Sequence, residues 1–154
     1  MAKSEGGIKV LGVNRKARFN YSIEETFECG LSLVGTEVKS IKDGRISFAD
    51  SYALVQNDEL SLIDFHVTPY AFGNRVNHDP LRKRKLLVHR KEIKRLKRLT
   101  DEKVLTLVPL KFYLKRGYVK CELGIAKGKK LFDKRDDIRK RDQKRELERE
   151  FRVK

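Results

Sequence analysis

Apolar residues recur at regular intervals through residues 8–126 and thin out sharply beyond them. From Tyr21 the odd positions Tyr21, Ile23, Phe27, Cys29, Leu31 and Leu33 are apolar, broken only by Glu25. Alternation with a period of two predicts a strand with one buried face, and Gly30 inside so long a strand points to a bend or bulge. Gly35–Thr36 breaks the run. Thr36 suits the N-cap of a short helix through Ile41, with Val38 and Ile41 facing inward and Gly44 as the stop. Ser51–Gln56 and Leu60–Val67 flank the turn pair Asn57–Asp58 and predict a hairpin, ended by Pro69. Tyr70–Pro80 is polar and reads as a loop. Ile93, Leu96 and Leu99 recur at helical spacing. Val104–Leu114 and Tyr118–Ala126 alternate around Lys115–Arg116–Gly117, a second antiparallel hairpin in which Pro109 requires an edge position or a bulge.

These elements describe a mainly β chain with about five to seven strands, one early helix and one central helix. A small OB-like (oligonucleotide-binding type) antiparallel β-barrel accommodates them over residues 1–126, and an α+β sandwich is the other arrangement. At 154 residues the chain fits one domain with a core large enough to fold unaided. Met1–Gly7 has little to bury and is expected to be mobile.

Charge narrows the partners. The formal net charge is +15, and so basic a surface is matched to a polyanion, nucleic acid first and an anionic membrane second. The cations are not spread evenly. Arg82–Arg98 holds ten Lys or Arg residues against one acid, Glu92. Its apolar stripe fixes one side of the helix, so the cations crowd the other, where phosphate is the natural counter-charge. Asn14–Arg15–Lys16–Ala17–Arg18 is a second basic cluster, read either as a solvated turn or as a phosphate contact. No apolar run is long enough to span a membrane and no secretory leader is evident, so a cytoplasmic protein is expected. Cys29 and Cys121, each within an alternating run, read as buried reduced thiols. No Cys or His cluster has metal-ligand spacing, so no metal and no cofactor are expected. Glu24, Glu25 and Glu28 are close in sequence without a nucleophile–base pairing, which leaves no catalytic constellation.

The last segment is of a different kind. Of the 22 residues 133–154, 17 are charged. Acid-then-base pairs such as Asp136–Lys140 and Glu148–Arg152 favour a helix, but no wide apolar stripe would dock it. Residues 127–154 therefore read as a basic tail, disordered when free and helical on a partner.

The sequence resembles the SsrA-binding protein family (small protein B). The carriers are Asn14–Arg18, Phe27–Glu28–Cys29–Gly30, Gly35–Thr36–Glu37–Val38–Lys39–Ser40, Asp50–Ser51–Tyr52, Asp79–Pro80 with Arg82 and Arg84–Lys85–Leu86–Leu87, and Gly128–Lys129–Lys130 followed by Asp133–Lys134–Arg135. Together they cover nearly the whole chain in order. The resemblance implies a non-enzymatic protein that binds the tRNA-like domain of transfer-messenger RNA and delivers it to a stalled ribosome for trans-translation. There it would stand in for a codon–anticodon pair in the decoding centre, with its tail in the empty mRNA channel. Elongation factor Tu would join indirectly, through the aminoacylated RNA. The implied RNA-binding residues are Asn14, Arg15, Lys16, Arg18, Glu28, Arg82, Arg84, Lys85, Leu87, His89, Lys120, Lys127, Lys129 and Lys130. The implied ribosome-facing tail residues are Phe132, Asp133, Lys134, Arg135, Arg139, Lys140 and Arg141. Phe132 stands where relatives often carry histidine, so a role needing the imidazole hydrogen bond is lost there. A general OB-type RNA chaperone without a dedicated RNA is the competing reading.

Overall fold

The computed structural model describes residues 7–71, 77–128 and 131–152, and for residues 131–134 and 150–152 the backbone alone. Among the described residues, nine strands, β1 (Ile8–Val13), β2 (Tyr21–Leu31), β3 (Ile46–Ser47), β4 (Tyr52–Gln56), β5 (Glu59–Ile63), β6 (His66–Val67), β7 (Arg84–Leu87), β8 (Thr106–Lys115) and β9 (Tyr118–Gly128), are joined by four helices. The helices are α1 (Arg15–Asn20), α2 (Gly35–Lys42), α3 (Arg90–Lys103) and α4 (Leu131–Arg152). Pairing runs β8–β4–β5–β7–β2–β9 and returns to β8, so six strands close a ring. Closure removes sheet edges and selects the barrel over the sandwich. β1 adds to β8 outside the ring, and β3 pairs β6 in a separate ribbon.

Turn chemistry sets both hairpins. Asn57 and Asp58 take φ of 52° and 58°, and Arg116 and Gly117 take 51° and 83°. Two successive left-handed residues make a tight two-residue hairpin turn whose twist matches the strands. The barrel is filled by side chains such as Leu60, Leu62, Leu86, Leu107, Leu123 and Ile125. Phe65 stacks on Phe112 at 4.4 Å between ring centres, and Phe48 packs on both. Leu96 of α3 is fully buried in the same cluster, so the basic helix is pinned to the barrel by its apolar stripe.

Several expectations are corrected. β1 precedes the Asn14–Arg18 cluster, and that cluster opens a helix instead of a turn. The long strand β2 bulges at Glu24, not Gly30. One inserted residue reverses the alternation, so Tyr21 and Ile23 join a second small core with Ala17, Val108, Leu110 and Ala126 under α1, while Phe27 and Cys29 face the barrel interior. β8 does the same with its bulge between Pro109 and Lys111. Val104 is not in a strand: it ends α3 in the left-handed conformation and is 84% exposed. Thr36 does not cap α2. Val34 is the N-cap, its amide donating to Glu37 Oε1 at 3.0 Å. The second hairpin strand stops at Ile63, where Asp64 turns the chain at φ 57°. The helical spacing expected of the tail is seen over residues 131–152, and the expectation for Met1–Gly7 falls almost wholly outside the described residues.

Candidate RNA interface

The outer faces of β8, β9 and β2 are brought together by strand register. Tyr113 of β8 lies opposite Lys120 of β9, Lys120 lies opposite Gly30 of β2, and Glu122 lies opposite Glu28. On the far side of β2, Gly30 pairs with Leu87 at the end of β7, from which Val88 and His89 lead into α3. The result is a groove of about 420 Å³ with Gly30 at the centre of its β2 wall, lined also by Phe27, Val88, Glu28, Leu87, His89, Glu92 and Lys120. Gly30 keeps that wall open, because an added Cβ would lie 3.3 Å from the Leu87 Cβ. Leu87 is half exposed at the end of β7, where burial alternates along the strand, so an apolar knob stands at the rim. An apolar lining with one cation, one imidazole and acids at its edge suits an unstacked base better than a smooth helix.

Glu28 is held from behind. The Tyr113 hydroxyl donates to Glu28 Oε2 at 2.5 Å and the Lys115 ammonium lies 3.3 Å from the same oxygen. The Tyr113 hydrogen bond is the largest influence on the carboxyl; partial burial opposes it, and Lys115 and Lys120 reinforce it, so Glu28 stays below the usual carboxylate range. Burial, with the Glu28 carboxylate beside it, pushes the Tyr113 hydroxyl well above the usual phenol range.

The sequence-predicted residues divide into groups. Glu28, Leu87, His89 and Lys120 meet in the groove. Lys85, two residues before Leu87, is exposed and pairs with Glu59 at 3.3 Å. Arg82 is half exposed, its guanidinium bonding Glu37 at 2.6 Å and the Ser32 carbonyl at 3.2 Å. Arg84 is the correction. It is fully buried, bound to Glu37 and to the Phe65 carbonyl, and presents nothing to a ligand. Asn14 is half-buried and donates to the Pro109 carbonyl at 2.9 Å, while Arg15, Lys16 and Arg18 lie exposed on α1. Neither these nor exposed Lys127 at the end of β9 line the groove. Lys129 and Lys130 lie outside the described residues, as do the side chains of Phe132, Asp133 and Lys134. Arg135, Arg139 and Lys140 are exposed on α4, and the Arg141 guanidinium sits 5.6 Å from the Phe19 ring of α1. Tyr113 and Lys115 belong to the site without being singled out by the sequence. The alternation of β8 marks a strand there, but only register shows that both side chains reach Glu28. Among the described residues no three His, Cys, Asp or Glu side chains gather as a metal would need, and no helix is long and apolar enough to cross a membrane.

A family model described as "SmpB protein" matches residues 11–153. This chain belongs to the SmpB family. The "SsrA-binding protein" of Caldanaerobacter subterraneus subsp. tengcongensis is 55% identical over 154 residues, spanning 100% of this chain and 98% of its own. That of Bacillus subtilis (strain 168) is 56% identical over 148 residues, or 96% and 95% of the two chains. A solved SmpB structure, "tmRNA-SmpB: a journey to the center of the bacterial ribosome", superposes with a TM-score of 0.65 at 49% identity, covering 77% of this chain and 84% of that one. The SmpB match spans both the barrel that carries the groove and the charged segment that follows it.

Proposed function

We propose that this chain binds transfer-messenger RNA and brings it to stalled ribosomes for trans-translation. The observation that carries the reading is the convergence of Glu28, Leu87, His89 and Lys120, distant in sequence, on one groove of a barrel whose relatives are SsrA-binding proteins. In this reading the groove takes an unstacked part of the tRNA-like domain. Lys120 and Lys85 meet phosphate, and the outer cations of α3 extend the track. Residues 127–154 then act on the ribosome, in the decoding centre and the empty message channel, through Arg135, Arg139, Lys140 and Arg141. The protein performs no catalysis, works in the cytoplasm, and meets elongation factor Tu only through the aminoacylated RNA.

Two variants separate the two activities. Lys120→Glu should weaken binding of a tRNA-like-domain transcript by about tenfold or more and reduce the steepness of its salt dependence by roughly one contact. Ending the chain after Gly128 should leave most of that binding and abolish tagging in a reconstituted translation system. Excess unrelated tRNA should not displace the transcript. Displacement at equal concentration would mark a general RNA binder, and tagging by the shortened chain would overturn the role of the tail.

A further inference from the structure

Glu28 is an acid on the rim of the groove read as the RNA site, and its surroundings show what such an acid does. Its carboxylate lies between the groove and a smaller hollow of about 220 Å³, which Tyr113 and Lys111 line from β8. From the hollow side the Tyr113 hydroxyl and the Lys115 ammonium both bond Oε2, and among the described residues Oε1 takes no hydrogen bond. Tyr113 is only 5% exposed. With its ring buried and the Lys111 ammonium over it, the direction of its hydroxyl is set by packing and not by solvent.

We propose that Tyr113 is a positioning residue for RNA recognition: its hydroxyl ties down Oε2 of Glu28 and leaves Oε1 as an acceptor in the groove for a donor of an unpaired nucleotide, a base N–H or a ribose 2′-hydroxyl. This rests on the reading of the groove as the RNA site. An ionised carboxylate only accepts hydrogen bonds and repels phosphate, so the donors left on RNA are base N–H groups and the 2′-hydroxyl. Phosphate falls to Lys120 beside it. A hydrogen bond from a buried donor fixes the geometry before the RNA arrives, which lowers the ordering cost of binding.

The charged and titratable groups facing Glu28 are Tyr113, Lys111 and Lys115 from β8, Lys120 and Glu122 from β9, and His89 and Glu92 across the groove. Of those that hold it ionised, the Tyr113 hydrogen bond acts most strongly. Removing that hydroxyl therefore raises the pH at which Glu28 takes a proton and ceases to be a pure acceptor.

The test uses the full chain and a tRNA-like-domain transcript, with binding measured from about pH 4 to pH 8 at fixed salt. Tyr113→Phe should weaken binding on the order of tenfold near neutrality. In a Glu28→Ala background the same change should cost nothing further, since the group it positions is gone. The affinity difference between a chain that keeps Glu28 and one carrying Glu28→Gln isolates this carboxylate from His89 and from the RNA bases. That difference should vanish at a higher pH in Tyr113→Phe than in the wild-type chain. Carboxyl titration of Glu28 by nuclear magnetic resonance in the free protein gives a readout that needs no RNA, and it should move upward in Tyr113→Phe. Equal losses in both backgrounds, or an unmoved titration, would reduce Tyr113 to a packing residue. Two altered transcripts test the ligand: one 2′-deoxy at the unpaired nucleotides, one with bases lacking the N–H donor. Loss of the Glu28→Gln effect in either names the donor, and an undiminished effect in both overturns the acceptor role. If the wild-type chain ignores the transcript altogether, the reading of the groove fails, not Tyr113 alone.

Discussion

At the scale of the residue, the buried ion pair Glu37–Arg84 explains more of the site than any exposed cation does. Glu37 caps the first turn of α2, and also takes Arg82 and Arg84 from the segment leading into Leu87 and His89. Burial by itself would raise its carboxyl, but the hydrogen bonds from Arg82, the Val34 amide and Arg84 outweigh that and hold it below the usual range. A carboxyl lowered on folding stabilises the fold fully above the ordinary value of about 4.3 and loses that contribution as pH falls through the lower folded value. The resistance of the wild-type chain to urea should therefore decline as pH falls below about 4. Glu37→Gln, which leaves Arg84 buried and unpaired, should be less stable near neutrality by about 3–5 kcal/mol and respond less to acid. Urea midpoints from about pH 3 to pH 7 decide it, and parallel curves for the two proteins would count against the network. Cys29 and Cys121 make a second case. They are buried free thiols opposite one another on β2 and β9. Burial pushes the Cys29 thiol up to about 12 and Cys121 well above the usual range. A thiol-labelling reagent should react with neither in the native state and with both in denaturant.

At the scale of the element, α3 is both a core helix and a cationic face. Leu96 is fully buried, and Arg95 pairs with Glu25 and Glu92. Lys91, Lys94, Lys97 and Arg98 stay exposed. Replacing Lys91, Lys94 and Lys97 with Gln should leave thermal stability nearly unchanged and lower the slope of log affinity against log salt by roughly 2–3. Leu96→Ala should do the reverse, costing about 2–5 kcal/mol of stability through a cavity while the salt slope of the folded fraction holds. Calorimetry and salt titrations of binding separate the two roles.

At the scale of the molecule, the barrel and α4 differ in what supports them. Six strands close on themselves around a continuous core. On α4, by contrast, Ile138 and Leu147 are exposed, and the helix meets α1 where the Arg141 guanidinium lies over the Phe19 ring. A helix with little tertiary support depends on local pairs of a few tenths of a kcal/mol each and is marginal in water. Amides of residues 135–149 should accordingly exchange in seconds in the free protein while those of β8 and β9 resist for hours or longer, and ribosome binding should slow the former. Hydrogen exchange read by mass spectrometry tests this, and long-lived protection of α4 in the free chain would contradict it.

Alternation, turn residues and charge runs determined a mainly β chain, both hairpins, the helical stripe of α3 and the break before the charged segment, while strand closure chose the barrel over the sandwich. Each of these is a local property: side-chain period follows backbone geometry, and left-handed turns favour a short set of residues. What the chain pattern misplaced lies where one residue shifts the count. The bulges at Glu24 and after Pro109 put Ile23 and Val108 in the small core under α1 instead of the barrel interior, because side chains before an inserted residue are out of phase with those after it. The fate of the cations was equally out of reach. Arg82, Arg84 and Lys85 are near neighbours of one charge, yet Arg84 is buried against Glu37, Arg82 is shared with it, and Lys85 is exposed. Which arginine is structural and which acid lines the groove depends on strand register between residues tens of positions apart, and only the closed barrel supplies that register.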